Sequence, residues 1–237
     1  MNKKIRSLIC FALIVTLALP VVSIAFAGKP DKGPLEKIVF IHYKKGYGKP
    51  PGTPGKGSDK EYYTFLAKGV KWKSLSIDVV TGPGIDISVI TASTGEWDSH
   101  TTAGLFGAVT YKDDADWDSS SPDGDNELAF GNYSDPDVIA VCVVWGYFTG
   151  RPSTRSIEEF DIMFDIDFPW GDATGDPDVM DLQNIATHEL GHGLGLGDLY
   201  ITEASEETMY GYSTEGETKK RDLNPGDIAG IQVLYGE

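Results

Sequence analysis

Apolar residues in this chain alternate over short stretches more often than they follow a helical spacing. Phe160, Ile162, Phe164, Ile166 and Phe168 alternate with Asp161, Met163, Asp165 and Asp167, a period of two that predicts a strand with one wet face. Leu75–Val80, Leu105–Tyr111, Glu127–Phe130 and Val138–Trp145 read as further strands, and Ile38–Tyr43 as an isolated short one. Asp86 is placed to cap a helix running towards Trp97, although Ile90-Thr91 and Thr94-Gly95 are weak helix formers. A helix is expected from about Val179 to Gly193. Another is expected from Asn224 to Tyr235, with Asn224 as cap, Pro225 in the first turn, and Ile228, Ile231 and Tyr235 on one face. Strands followed by helices give an α+β, or mixed α/β, layout.

Composition adds limits to this picture. Of 237 residues, 41% are apolar and 11% aromatic, enough to build a core and to exclude a wholly disordered chain. The net charge of −16 is unevenly placed: +3 over residues 1–27, +4 over 28–61 (8 Lys, 4 acids) and −23 over 62–237. A body this acidic excludes nucleic acid as a partner, since a phosphate backbone needs a basic surface.

Lys3, Lys4 and Arg6, the apolar run Leu8–Ala18 and Ala25-Phe26-Ala27 read as a secretion signal over 1–27, with cleavage near Ala27-Gly28; a retained membrane anchor is the alternative. With Cys10 in the signal, Cys142 is alone and is read as a buried thiol. Residues 28–61, rich in Gly, Pro and Lys, are expected to be a flexible leader, pro-segment or linker. The domain proper then spans 62–237, secreted and monomeric, free of the membrane once the signal is gone.

The chemistry concentrates in His188-Glu189-Leu190-Gly191-His192. Residues four apart share a helix face, so both imidazoles can reach one zinc ion, and Glu189 stands beside it as a general base. Gly195 follows at the point where the helix must end, and Asp198 is placed to supply a third, oxygen ligand. Three protein ligands leave a tetrahedral corner open, as catalytic zinc sites do.

The pattern His188-Glu189-x-x-His192-x-x-Gly195-x-x-Asp198 resembles the metzincin zinc peptidases and, within them, the matrixins. Met209, in Glu207-Thr208-Met209-Tyr210-Gly211, lies where the family has its Met-turn. Residues 226–236 are similar to its last helix, and Phe164–Trp170 to its acidic strand. The resemblance implies a twisted, mostly parallel sheet with an active-site helix and a C-terminal helix. It also implies a secreted endopeptidase acting on proteins or peptides, and substrate lying extended along an edge strand, with Val138–Trp145 the candidate. The third ligand departs from the usual histidine. With His only at 42, 100, 188 and 192, the family's second, His-rich zinc site cannot be built, and no cysteine stands ready to silence the metal.

Asp114, Asp116, Asp118 and Asp125 fall at positions 1, 3, 5 and 12 of a calcium-loop spacing, although Ser119 replaces the usual glycine and Asp125 the usual glutamate. Asp165 and Asp167 are calcium candidates through the family resemblance. His42 and His100, without partners in sequence, read as solvated loop residues, with zinc masking by His42 in a pro-form as the alternative. Against the peptidase stand an exported binding or surface protein that uses the metal for stability, and a cell-wall amidase with the same zinc chemistry.

Overall fold

A computed structural model describes residues 32–46, 62–117 and 120–237; the signal-like segment, Asp118 and Ser119 lie outside them. Seven strands form the main sheet: β1 (Glu36–Lys44), β2 (Ile77–Thr81), β3 (Phe106–Tyr111), β4 (Glu127–Gly131), β5 (Val138–Tyr147), β6 (Ser156–Asp165) and β7 (Tyr212–Ser213). Their order is β7-β1-β5-β6-β4-β2-β3, and β5 alone runs against the other six. Three helices accompany it: α1 (Ile87–Asp98), α2 (Leu182–Gly193) and α3 (Pro225–Tyr235). The fold is mixed α/β around a mostly parallel sheet. No helix among the described residues is long and apolar enough to cross a membrane.

The alternation over β6 correctly marks a strand but misplaces its second face. Asp161 and Met163 are as buried as Phe160, Ile162 and Phe164. A second cluster explains this: Val138, Val141, Val143 and Met163 pack together on that side, with Trp117 and Tyr133 against them. Asp161 is accommodated there by accepting the Glu127 N–H at 3.2 Å.

The larger correction concerns the stretch read as flexible. Its Ile38–Tyr43 segment is not isolated: β1 runs antiparallel along β5 from Glu36↔Gly146 to Tyr43↔Val138 and parallel to β7 at Tyr43↔Tyr212. Consequently β5 is an interior strand, not the sheet edge expected from the family resemblance. Phe40 and His42 alternate with Val39 and Ile41 along β1, and both are buried where Val39 is exposed.

Weak propensity does not prevent α1, because packing outweighs it. Asp86 caps it by accepting the Ser88 N–H at 2.8 Å, Ile90 and Trp97 are fully buried, and the Trp97 indole donates to Thr187 O at 2.9 Å. That bond ties α1 to α2. Helix α2 starts at Leu182, later than its apolar pattern suggests. Met180 and Asp181 first pair with Trp170 and Gly171, and Asp181 then caps by accepting the Asn184 N–H at 2.8 Å. In α3 Asn224 stands at the cap as expected, and Asp227 adds a box, its Oδ2 accepting the Asn224 N–H at 3.0 Å.

Candidate active site

Helix α2 is buried nearly all round, which holds His188 and His192 rigidly one turn apart. Each ring donates its Nδ1–H to a backbone carbonyl, His188 to Thr208 O at 2.7 Å and His192 to Leu196 O at 3.0 Å. These bonds fix the tautomers and leave both Nε2 lone pairs aimed at one point. Gly195 lies at φ +103°, and a β-carbon there would meet Val70 O at 2.5 Å, so only glycine lets the chain reverse. The reversal delivers Asp198, whose Oδ1 is 3.3 Å from His188 Nε2 and 3.4 Å from His192 Nε2. Ligands about 2.0–2.1 Å from a tetrahedral zinc ion stand about 3.3–3.4 Å apart, so the three donors fit that ion. His188 Nε2 and Glu189 Oε2 are also buried without a hydrogen-bond partner among the described residues, as a metal-directed donor and a waiting base would be.

Electrostatics agree with the geometry. Burial, with Asp198 adding to it, pushes the Glu189 carboxyl up to about 8, although His192 opposes the shift. Burial and the nearby Lys220 take His188 down to about 3. For Asp198 burial acts upward, but His192 and the close approach of both imidazoles outweigh it and hold the carboxyl well below the usual range. Burial pulls His192 down, and Asp198 more than restores it. A divalent ion would stand in for the proton this cluster otherwise shares.

Met209 lies beneath α2, where the family resemblance places it. It is buried, and a β-carbon on Gly191 would meet its sulfur at 2.4 Å, so the glycine lets the turn approach the helix. Asp227 at the start of α3 pins that turn, accepting the Thr208 and Met209 N–H groups at 2.7 and 3.0 Å. Glu207, raised to about 7 by burial and by Asp227, accepts the Gly226 and Asp227 N–H groups in return.

Three further residues belong to this site: Phe40 and Lys220 were not expected from sequence, and His42 was expected here only as an alternative reading. From β1, the Phe40 ring stacks on His192 with centroids 3.8 Å apart, and His42 meets His188 edge-on at 4.1 Å. His42 is no solvated loop residue. Its Nδ1 is 3.1 Å from Glu189 Oε1 and its Nε2 is 3.3 Å from Lys220 Nζ. Lys220 is the third, fully buried with its ammonium beside His42. Burial first, then Lys220, holds His42 well below the usual imidazole range. It is therefore neutral, donating from Nδ1 to Glu189 and accepting at Nε2 from the lysine. With β1 in place His188, Glu189, His192 and Asp198 are all closed to solvent.

The acidic candidates divide. Asp123, Asp125 and Glu127 bring carboxylate oxygens within 4.8 Å of one another, in a pocket also lined by Asp114 and Asp116. Sequence spacing named three of those five; Asp118 lies outside the described residues. Asp165 is committed elsewhere, its two oxygens accepting the Tyr133 and Asp167 N–H groups, each at 2.9 Å, while Asp167 is exposed. His100 pairs with Glu96 at 3.0 Å and belongs to neither cluster.

Two imidazoles and a carboxylate converging on one point, beside a further carboxylate with one oxygen on His42 and the other without a partner among the described residues, are the donor set of a catalytic-type metal centre. The matrixin family model matches residues 99–236, more than half of the chain, and the chain belongs to that family. It is 45% identical over 67 residues to metalloendoproteinase 1-MMP of Arabidopsis thaliana, covering 27% of this chain and 17% of that protein. Human matrix metalloproteinase-19 is 40% identical over 76 residues (32% and 14%), and rat matrilysin 39% over 77 residues (32% and 27%). The chain thus spans at most about a quarter of the length of these relatives.

Proposed function

We propose that the chain is an exported zinc endopeptidase whose site is held shut by its own strand β1. The observation that carries the reading is the convergence of His188, His192 and Asp198 at the spacing zinc requires, with the free oxygen of Glu189 beside them. His188, His192 and Asp198 would hold the zinc, which when bound would supply Lewis acidity towards a carbonyl and a water nucleophilic near neutral pH. Glu189 takes the proton from the attacking water at its free oxygen and hands it to the leaving amine. Its pKa near 8 without metal marks a carboxyl that accepts a proton readily in this dry setting.

Substrate takes the place of β1. That strand already makes the contacts an extended peptide would make, antiparallel to β5 and parallel to β7, and its side chains reach the metal ligands and Glu189. Residues 28–61 then act as a pro-segment, and the family's thiol latch is replaced by a histidine on the base and an aromatic ring on a ligand. To test this, a recognition sequence for a specific protease is placed within 47–61 of the full chain. The uncut chain is expected to leave quenched peptides intact; cutting and separating the leader is expected to start cleavage. Equal turnover by the uncut chain would sink the masking role, and none from the cut, zinc-loaded chain would sink the peptidase.

Calcium in the acidic pocket belongs to the same reading. Burial first, then repulsion from Asp123, raises Glu127 to about 7, and a bound dication would offset both while displacing the Lys112 ammonium from Asp125. Calcium at 100 times its dissociation constant should then stabilise the chain by about 2.7 kcal/mol. The rise in thermal midpoint should vanish in Glu127→Gln; an equal rise in that variant would remove the site.

A further inference from the structure

Lys220 is fully buried, yet its ammonium meets only neutral acceptors: Tyr210 O, Tyr212 O at 3.0 Å and His42 Nε2 at 3.3 Å. Among the described residues no carboxylate lies within ion-pair distance of it. Its neighbours in sequence behave as a solvated basic run should, Lys219 pairing with Glu206 and Arg221 with Asp172 and Asp181. Glu217, Asp198 and Glu189 act on it only from beyond ion-pair distance, and an ammonium taken out of water without a direct carboxylate contact is expensive to keep. Two of its acceptors are body carbonyls beside β7, and the third arrives with β1. When β1 leaves, one N–H of a desolvated cation is left facing the slot that the His42 side chain had filled.

We propose that Lys220 is a specificity-determining residue, and that this slot selects a substrate residue bearing a carboxylate, glutamate by reach. The inference rests on the reading that substrate replaces β1. It also explains the residue found there now. A neutral histidine gives the ammonium a hydrogen bond in which only the donor is charged, whereas a carboxylate would make an ion pair with charge on both partners. The resident strand therefore holds the slot less firmly than the preferred substrate does, which suits a segment that has to leave.

Two measurements decide the matter, the first without turnover. In the uncut, zinc-loaded chain, His42→Glu and His42→Gln are each combined with native Lys220 or Lys220→Met, and hydrogen exchange of residues 36–44 is followed. The cycle subtracts whatever Glu189 does to the new carboxylate. Exchange should be slowed by His42→Glu relative to His42→Gln by about tenfold with Lys220, and not with Lys220→Met. In the second, the cut chain freed of its leader is given peptides differing only by Glu, Gln or Lys at one position. Glutamate should be favoured at a single position by about tenfold or more, mainly through KM, with Lys220→Arg retaining the preference and Lys220→Met losing it.

No coupling in the cycle, or a cleaving enzyme indifferent to Glu against Gln at every position, overturns the assignment and leaves Lys220 a tie between the 210–212 segment and β1. The parent alone supplies the second comparison if Lys220→Met does not fold. A cut chain that cleaves no peptide ends the peptidase reading, while the exchange cycle still decides the lysine.

Discussion

Glu189→Gln is expected to leave zinc content unchanged and to slow peptide cleavage by about 10²–10⁴-fold in the chain cut between β1 and the body. The substitution keeps the shape and one acceptor of the side chain and removes only its ability to hold a proton reversibly. None of the three metal-directed donors is touched, so His188 Nε2, His192 Nε2 and Asp198 Oδ1 keep their separations of 3.3 and 3.4 Å. The loss should appear in kcat with KM little changed, because Glu189 acts on the proton in transit and not on substrate binding. Zinc content per chain is measured beside the rate. Full retention of both zinc and activity would mean that the carboxylate is not the base. If no rate can be measured for either chain, the centre is structural, and the exported binding protein becomes the better account.

The cluster of His188, His192 and Asp198 was legible in sequence because its logic is local. Helix pitch alone brings His188 and His192 onto one face, and the left-handed Gly195 returns the chain to Asp198 within three residues. The caps Asp86 and Asn224 likewise need only their own turns, whereas the Asp181 cap was missed because Met180 and Asp181 first pair with Trp170 and Gly171. What was not legible depends on distance along the chain. His42 and Glu189 are 147 positions apart, and nothing in the Gly/Pro/Lys-rich surroundings of β1 says which strand it will join. Its alternation was visible; its partner was not. Met163 and Asp161 failed for a related reason, because the second cluster that buries them draws on Trp117, Tyr133 and Val138 from other segments. Lys220 carries no signal at all, lying in a basic run whose two neighbours reach the surface. The calcium spacing picked out residues that do gather, but Asp123 and Glu127 enter through the fold of the 112–127 loop and not through the 1, 3, 5, 12 register.

Removing the two β1 side chains that reach the site should open it without any cut. Phe40 is 2% exposed and His42 1%, and together they cover His192, His188 and Glu189. Truncating a buried phenylalanine costs about 3–5 kcal/mol, and even 3 kcal/mol lost from the docking of β1 shifts the balance of closed and open forms by roughly 10²-fold. Phe40→Ala with His42→Ala in the uncut chain is therefore expected to raise kcat/KM on a quenched peptide by about 10²-fold, and to let a chelator strip zinc faster by a similar factor. After cutting and removal of the leader, parent and variant should be equal, since both substituted residues leave with β1. Hydrogen exchange separates opening from unfolding: amides of β1 and β5 should lose protection while those of α2 keep theirs. Unchanged cleavage and unchanged zinc release, with β1 exchanging freely, would show that the strand covers the site without governing access to it.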